Sequence, residues 1–275
     1  MTAFLFSLDV EEVRDGDRLP VQLPALVEPY LDFLRRHRAT GTFFIVGEVA
    51  RRHPEVIRRI MAEGHEIGCH SDRHIPLDRL NPETFRSDTE RNLDALHAAG
   101  AMTVVGYRAP SFSLTANTCW AHETLAQLGF RYSSSVLPAP NPINGWPGFG
   151  RHPKLMDGTI WEIPITLLPL PLPPVPAGGG VYFRALPRLV VRHGLRSIGK
   201  SGQPLAGYFH PYDIDQEQRR HPHPGFSGWS PFNWLMYRNR HVVFDRLELA
   251  ARMGFKFTSF EQYAMTLQQK GDAAR

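Results

Sequence analysis

Cysteine is scarce: Cys69 and Cys119 are the two thiols in 275 residues. They build no disulfide framework, which points to a reducing compartment. Long hydrophobic runs are missing too, and no stretch approaches the roughly 18 consecutive apolar residues of a spanning helix. The first residues, Met-Thr-Ala-Phe-Leu-Phe-Ser-Leu-Asp, hold no basic stretch, no long apolar segment and no small-residue cleavage site, so no export signal is expected. Excess charge is small as well. The net charge is +4, with Arg much commoner than Lys, and basic clusters such as Arg51-Arg52 and Arg58-Arg59 are short. Nothing here calls for nucleic acid, although such pairs can meet an anionic surface. The absences together predict a cytosolic protein. What is present, 42% hydrophobic and 21% charged residues, is ordinary for a globular chain long enough to bury one large core. A single domain over residues 1–275 is expected.

Apolar runs at 3–8, 42–47, 66–69, 103–107, 131–133, 160–165, 205–209 and 255–258 read as strands. Helical spacing marks 26–36, 54–62, 82–99, 115–128, 183–198 and 240–253. Asn81 suits a helix cap, and Pro54 and Pro82 suit first-turn positions. The Pro/Gly-rich stretches 138–150 and 167–180, and residues 221–231, read as irregular. Strands alternating with helices predict an α/β fold with a parallel sheet, and seven or eight such units close into a (β/α) barrel. In a barrel the reactive residues gather where strands end. Asp9, His70, Arg108 and His210 each fall directly after a predicted strand.

His70 and His74 stand four apart at the end of one of these strands, so both imidazoles can aim at one point. Neutral imidazole is a common zinc ligand, but a chain with 13 His yields about one such pair by chance. The company is therefore informative. Asp9 and Glu11 are two apart and on extended backbone point the same way. One carboxylate can complete a metal site with the two histidines, leaving positions open for water and substrate, and the other can act as a base. Alone, the acidic cluster Asp9-Val10-Glu11-Glu12 reads equally as a solvated turn. Arg108 can pair with the base carboxylate and hold it ionised, or serve as a structural ion pair. His210 can give a proton to a leaving group, or be a packed histidine. Ser71 can bond within the loop or to substrate. Alternation turns Cys69 away from His70, into the core.

Taken together, Ser7-Leu8-Asp9-Val10-Glu11, His70-Ser71-x-x-His74, Arg108-Ala109-Pro110 and Tyr208-Phe209-His210-Pro211 resemble, in order and separation, the polysaccharide deacetylase family (carbohydrate esterase family four). The C-terminal half, with Gly-Gly-Gly-Val-Tyr-Phe-Arg and His-Pro-Tyr-Asp-Ile-Asp, is similar to the branch found with bacterial surface-polysaccharide and exosortase-linked gene clusters. The resemblance implies a distorted (β/α)7 barrel and metal-dependent removal of an acyl group from a sugar, with a divalent ion, zinc first among them. It implies Asp9 as general base, Glu11, His70 and His74 as ligands, and Arg108 as the residue that orients Asp9. The Ser111 N–H becomes an oxyanion donor and His210 the general acid, with Ser71 and Pro110 beside the substrate. Three departures stand out. The first motif lacks adjacent aspartates, so Glu11 or Glu12 meets the metal, and alternation favours Glu11. One proline, not two, follows the arginine. The family's Asp-Trp pair, which orients the arginine and walls the site, has Trp161-Glu162 as its candidate here.

Relatives of this fold that hydrolyse cyclic amides or remove a formyl group stay open at this point, as does an inactive carbohydrate-binding domain. The resemblance further implies a sugar substrate carried on polyprenyl phosphate, met by peripheral association with the inner face of the membrane. The apolar stretch 167–176 and residues 229–243, with Trp234, Leu235, Met236, Tyr237, Arg238 and Arg240, are the expected contacts.

Overall fold

The computed structural model describes residues 2–12, 23–141, 143–171, 174–218 and 231–273. The first predicted strand is two, β1 (Thr2–Leu5) and β2 (Ser7–Val10), because the chain changes partner at Phe6. Phe6 donates its N–H to Thr258 and accepts from the N–H of Thr42. Six more strands run parallel or join the barrel: β3 (Thr42–Ile45), β4 (Glu66–Cys69), β5 (Gly106–Tyr107), β6 (Tyr132–Ser133), β7 (Lys154–Met156) and β8 (Ile160–Glu162). They form one sheet in the order β2-β3-β4-β5-β6-β8-β7, with β7 antiparallel at its edge. β9 (Leu205–Ala206) and β10 (Phe255–Thr258) flank β1 in a second sheet. A parallel bridge from Leu8 to Phe209, and the Thr166 N–H on the Ala206 carbonyl, draw the two sheets together. The parallel strands β1/β2, β3, β4, β5, β6, β8 and β9 make the expected distorted (β/α)7 barrel.

Strand faces follow the two-sided burial of a parallel sheet. On β3, Phe43 and Ile45 pack outward with Leu34 and Ile57 of the surrounding helices, while Phe44 packs inward with Leu5, Tyr132 and Ile163. The helix Phe260–Ala273 covers the end where strands begin: the N–H groups of Phe260 and Glu261 donate to Thr42 Oγ1 (2.8 Å) and Glu66 Oε2 (2.9 Å).

Several sequence-based expectations change. Helices Gly47–Arg52 and Phe260–Ala273 and strand β7 carry little periodicity and were not expected. The expected helix 183–198 is two, Gly180–Ala185 and Arg188–Ser201, since Pro187 offers no N–H and interrupts the ladder. The expected helix 115–128 shrinks to Ala121–Gln127, because Thr118 Oγ1 takes the Thr115 N–H and donates to the Ser113 carbonyl, making a turn. β9 ends at Ala206, so His210 follows an isolated bridge at Phe209 rather than a full strand. Asp9 lies within β2, not after it. Residues 219–230, which hold most of the expected 221–231 loop, lie outside the described residues.

Neither stretch expected to meet a membrane is free to do so as a whole. Leu167 and Leu168 are buried, with the Leu168 N–H on the Val175 carbonyl and Leu167 bridged to Pro176, so this stretch folds back onto the barrel. Arg240 is buried beneath Tyr237 and donates to the Asp215 carbonyl (2.6 Å). Trp234 is exposed, with the Arg238 guanidinium 4.5 Å from its ring centre. Trp229 is outside the described residues.

Candidate active site

Glu11, His70 and His74 offer ligand atoms that all lie within 4.8 Å of one another, and among the described residues this is the cluster able to hold a metal ion. Glu11 Oε2 is 2.5 Å from His74 Nε2 and 3.9 Å from His70 Nε2. Glu12 turns elsewhere, toward Arg52 and His53. His70 Nδ1 bonds the Arg108 carbonyl at 2.8 Å, which sets the tautomer that leaves Nε2 bare toward Glu11. Burial pushes His70 down to about 4, against the charge of Asp9, so its imidazole is neutral and available as a ligand. Burial opposes ionisation of Glu11, yet His74 and then His210 and His70 hold its carboxyl well below the usual range. Burial also disfavours a charged His74, but Glu11 outweighs it and raises the value. Two imidazoles and one carboxylate, converging in this way, fit a zinc-like ion of catalytic type.

The loop carrying these histidines is strained and clamped. Ser71 and His74 adopt left-handed backbone, φ 62° and 54°. Ser71 Oγ accepts the His74 N–H (2.9 Å), so this buried hydroxyl serves the loop rather than facing outward to a substrate. Behind it, helix Pro82–Ala99 presents Asp88 and Asn92, one turn apart and fully buried. Asn92 Nδ2 donates to the carbonyls of Ser71 (2.5 Å) and Ile45 (2.9 Å), and Asp88 Oδ2 accepts the Asp72 N–H (2.8 Å). Asn92→Ala is expected to unfasten the loop and weaken divalent-metal affinity by about tenfold. It should also cost roughly 1–3 kcal/mol of stability through the two buried hydrogen bonds lost, although the Ser71 and Ile45 carbonyls keep the N–H groups of Gly47 and His70. Competition with a chromophoric chelator and thermal denaturation measure the two effects; unchanged metal affinity would show that the loop holds itself.

Asp9 is buried beside Arg108. Arg108 NH1 donates to Asp9 Oδ1 (2.7 Å) and Ser7 Oγ (2.5 Å), its Nε to the Ser134 carbonyl (2.9 Å) and NH2 to Ser134 Oγ (2.9 Å). Its plane lies over the Phe44 ring, 4.2 Å from the centroid. A guanidinium so fully satisfied has one orientation, and it occupies one oxygen of Asp9 while Oδ2 faces His210 Nε2 at 3.9 Å. The residue that orients the arginine is therefore Ser134, not the Trp161-Glu162 pair. Glu162 acts one step back: its Oε1 accepts the N–H groups of Ser135 (2.7 Å) and Val136 (3.1 Å), with His122 on Oε2 (3.1 Å). Trp161 packs against the buried cluster of Tyr132, Phe260 and Ala264 and lines a pocket with Arg131, Tyr132 and Glu261, so it does not wall the site.

Beyond Arg108 the chain makes a tight turn, Pro110–Phe112, with Ser111 at φ 54°. Pro110 is buried and fixes the turn's first position. Ala109 N–H goes to Ser135 Oγ (2.8 Å), while the Ser111 N–H meets no acceptor among the described residues.

His210 Nε2 is 3.9 Å from Glu11 Oε1, and its Nδ1 is 3.2 Å from Asp213 Oδ2. Burial disfavours the imidazolium, but Asp213, then Glu11 and Asp9, raise His210 above its ordinary value. Asp213 in turn holds Arg184 Nε (3.0 Å), and Arg184 donates on to the carbonyls of Met236 (2.6 Å) and Arg238 (2.5 Å). Burial works against the Asp213 carboxylate, yet His210 and Arg184 lower its value. Sequence reasoning passed over Asp88, Asn92 and Ser134. Arg184 and Asp213 stand within the two C-terminal motifs, Gly-Gly-Gly-Val-Tyr-Phe-Arg and His-Pro-Tyr-Asp-Ile-Asp, but were given no role.

Comparison with known proteins places two regions of the chain. Residues 15–133 match the family model described as polysaccharide deacetylase, and residues 134–265 match a domain of unknown function, DUF3473. Over 76 residues the chain is 36% identical to a chitooligosaccharide deacetylase of Bradyrhizobium sp., covering 28% of this chain and 35% of that one. Over 60 residues it is 50% identical to the peptidoglycan-N-acetylmuramic acid deacetylase PdaA of Bacillus subtilis, 22% and 23% of the two chains. The matched stretches thus span about a third of these relatives or less. A crystal structure assigned as a polysaccharide deacetylase, from Mycobacterium smegmatis, superposes with a TM-score of 0.61 at 22% identity, covering 90% of this chain and 78% of that one. Residues 15–133 thus carry a polysaccharide deacetylase domain. The site draws His70, His74, Arg108 and Ser111 from the first matched region and His210 from the second.

Proposed function

We propose that this chain is a divalent-metal-dependent hydrolase. It removes an N-acyl group, acetyl first, from an amino sugar of a bacterial surface glycan or its lipid-linked precursor. One observation carries the reading: Asp9 Oδ2 and His210 Nε2 face each other at 3.9 Å beside the Glu11, His70 and His74 cluster, each braced from behind by an opposite charge. The whole of residues 1–275 acts as one catalytic unit, since neither matched region contains the full set.

A zinc-like ion held by Glu11, His70 and His74 supplies Lewis-acid polarisation of the acyl carbonyl and a more acidic water. The residues do the rest. Asp9 accepts the water proton on Oδ2, while Arg108 holds Oδ1. The oxyanion that forms as water adds to the acyl carbon meets the Ser111 N–H. His210 gives its Nε2 proton to the departing nitrogen, the C–N bond breaks, and a carboxylate and an amine result. Without that proton the amide would re-form, because an amide anion is a very poor leaving group.

The same machinery would cleave a formamide or a cyclic amide. An inactive carbohydrate-binding domain has no use for base, arginine and acid together, so hydrolysis is favoured. Release of acetate or formate from a panel of free and polyprenyl-phosphate-linked N-acyl sugars, with and without a chelator, tests the assignment. No release from any member would overturn it.

His210→Ala should leave substrate affinity nearly unchanged and slow amide cleavage by about 10²–10⁴-fold. An activated aryl ester, whose leaving group needs no proton, should lose far less. Equal losses on both substrates would assign His210 a structural role.

A further inference from the structure

The chain has 31 Lys and Arg against 27 Asp and Glu. Helix Arg188–Ser201 contributes Arg188, Arg192, Arg196 and Lys200 to the first count and nothing to the second. Outside this one helix the two signs balance, so the helix carries the net charge of +4.

These four cations stand at successive i, i+4 positions, and all are exposed. Neighbours on such a ridge repel one another. Among the described residues none of the four has an ion-pair partner, so nothing in the fold offsets the repulsion. The opposite face is fixed inward: Val191, Gly194, Leu195 and Ile198 are buried. A Cβ at Gly194 would lie 2.2 Å from Leu168 Cδ2, so the helix sits too close to the barrel to turn its charges away. Next to Arg188, the side chain of Leu189 is 75% exposed. The preceding helix, Gly180–Ala185, begins near the site, where the Gly180 N–H donates to the Tyr208 carbonyl two residues from His210.

We infer that this face docks the protein on an anionic lipid bilayer. Four cations in a row over about 18 Å of helix, on a stripe that drifts about 40° per step, present a basic face to acidic headgroups. Leu189 adds an apolar side chain that can enter the interface, which a polyanion such as nucleic acid would not reward. Docking here lays the flank of the barrel along the headgroup layer, with the Lys200 end of the helix by the start of β1, where Thr2 Oγ1 donates to the Gly199 carbonyl (3.2 Å). The inference deepens the lipid-linked part of the proposed function, but its test needs no turnover.

The full chain is mixed with vesicles of phosphatidylcholine alone, or of phosphatidylcholine with phosphatidylglycerol, at low and high salt. It should float with the anionic vesicles only, and added salt should release it. Each basic residue removed lowers partitioning about fivefold, so Arg192→Gln with Arg196→Gln should lose roughly 25-fold. Leu189→Ser should weaken binding while keeping its salt dependence. Thermal denaturation of both variants, expected to match the parent, confirms that they fold. Three results would overturn the inference: no flotation of the parent, equal flotation of the double variant, or binding to heparin or duplex DNA with indifference to vesicles. Loss of flotation with deacylation of soluble sugars intact separates this inference from the catalytic one.

Discussion

Asp9→Asn is expected to keep its divalent ion and lose about 10²–10⁴ in turnover, because the amide preserves shape while removing the proton acceptor. Asp9 is not among the cluster of ligand atoms, and its Oδ1 is already taken by Arg108 at 2.7 Å. Glu11→Gln should do the opposite and weaken metal binding itself, since Glu11 brings the negative charge that His70 and His74 face. Metal content by atomic emission, measured beside single-turnover rates, separates the two variants. If Asp9→Asn arrives metal-free while Glu11→Gln retains its ion, base and ligand have been exchanged. Removing the charge of Asp9 also leaves Arg108 buried without its carboxylate, and breaking such a pair typically costs about 3–5 kcal/mol. Denaturation midpoints are therefore needed before the kinetics are interpreted.

His70→Ala and His74→Ala should each abolish metal retention and reduce activity to that of chelator-treated parent protein. His70 should be the more damaging. It is buried, and its loss also leaves the Arg108 carbonyl without a donor, whereas His74 is about a third exposed. A cobalt-substituted protein gives a readout independent of turnover, because the visible spectrum of a site with two histidines and one carboxylate changes when a ligand is lost. Full activity in rigorously metal-free protein would overturn the whole assignment. Acid should also release the ion, since protons compete with metal at both imidazoles and at Glu11.

Much of the barrel was legible from residues alone, for local reasons. Four-residue apolar runs such as Thr42–Ile45 are buried on both faces, and parallel strands need that. The helix at Pro82–Ala99 announced itself through Asn81, which caps the Thr84 N–H at 2.9 Å, and through Pro82. The same holds for the juxtaposition of Asp9, Glu11, His70, His74, Arg108 and His210, because strand ends in a barrel converge on one face. Where one feature had two local explanations, sequence reasoning went astray. Trp161 beside an acidic residue suggested a wall of the site, yet strand alternation sends Trp161 against the C-terminal helix. The apolar 167–176 stretch suggested a membrane contact, yet burial against the barrel gains more than exposure.

By itself, then, the sequence determined the strand and helix alternation, the histidine pair and the carboxylates. Each is set by spacing along the chain. Only the tertiary structure decided what braces them. Ser134 meets Arg108 across a neighbouring strand, Asn92 reaches the metal loop from a helix 21 residues on, and Arg184 ties Asp213 to the 235–238 carbonyls. Such partners are distant in sequence and ordinary in type. A buried donor must find an acceptor, but which one it finds depends on where the packed elements bring the backbone.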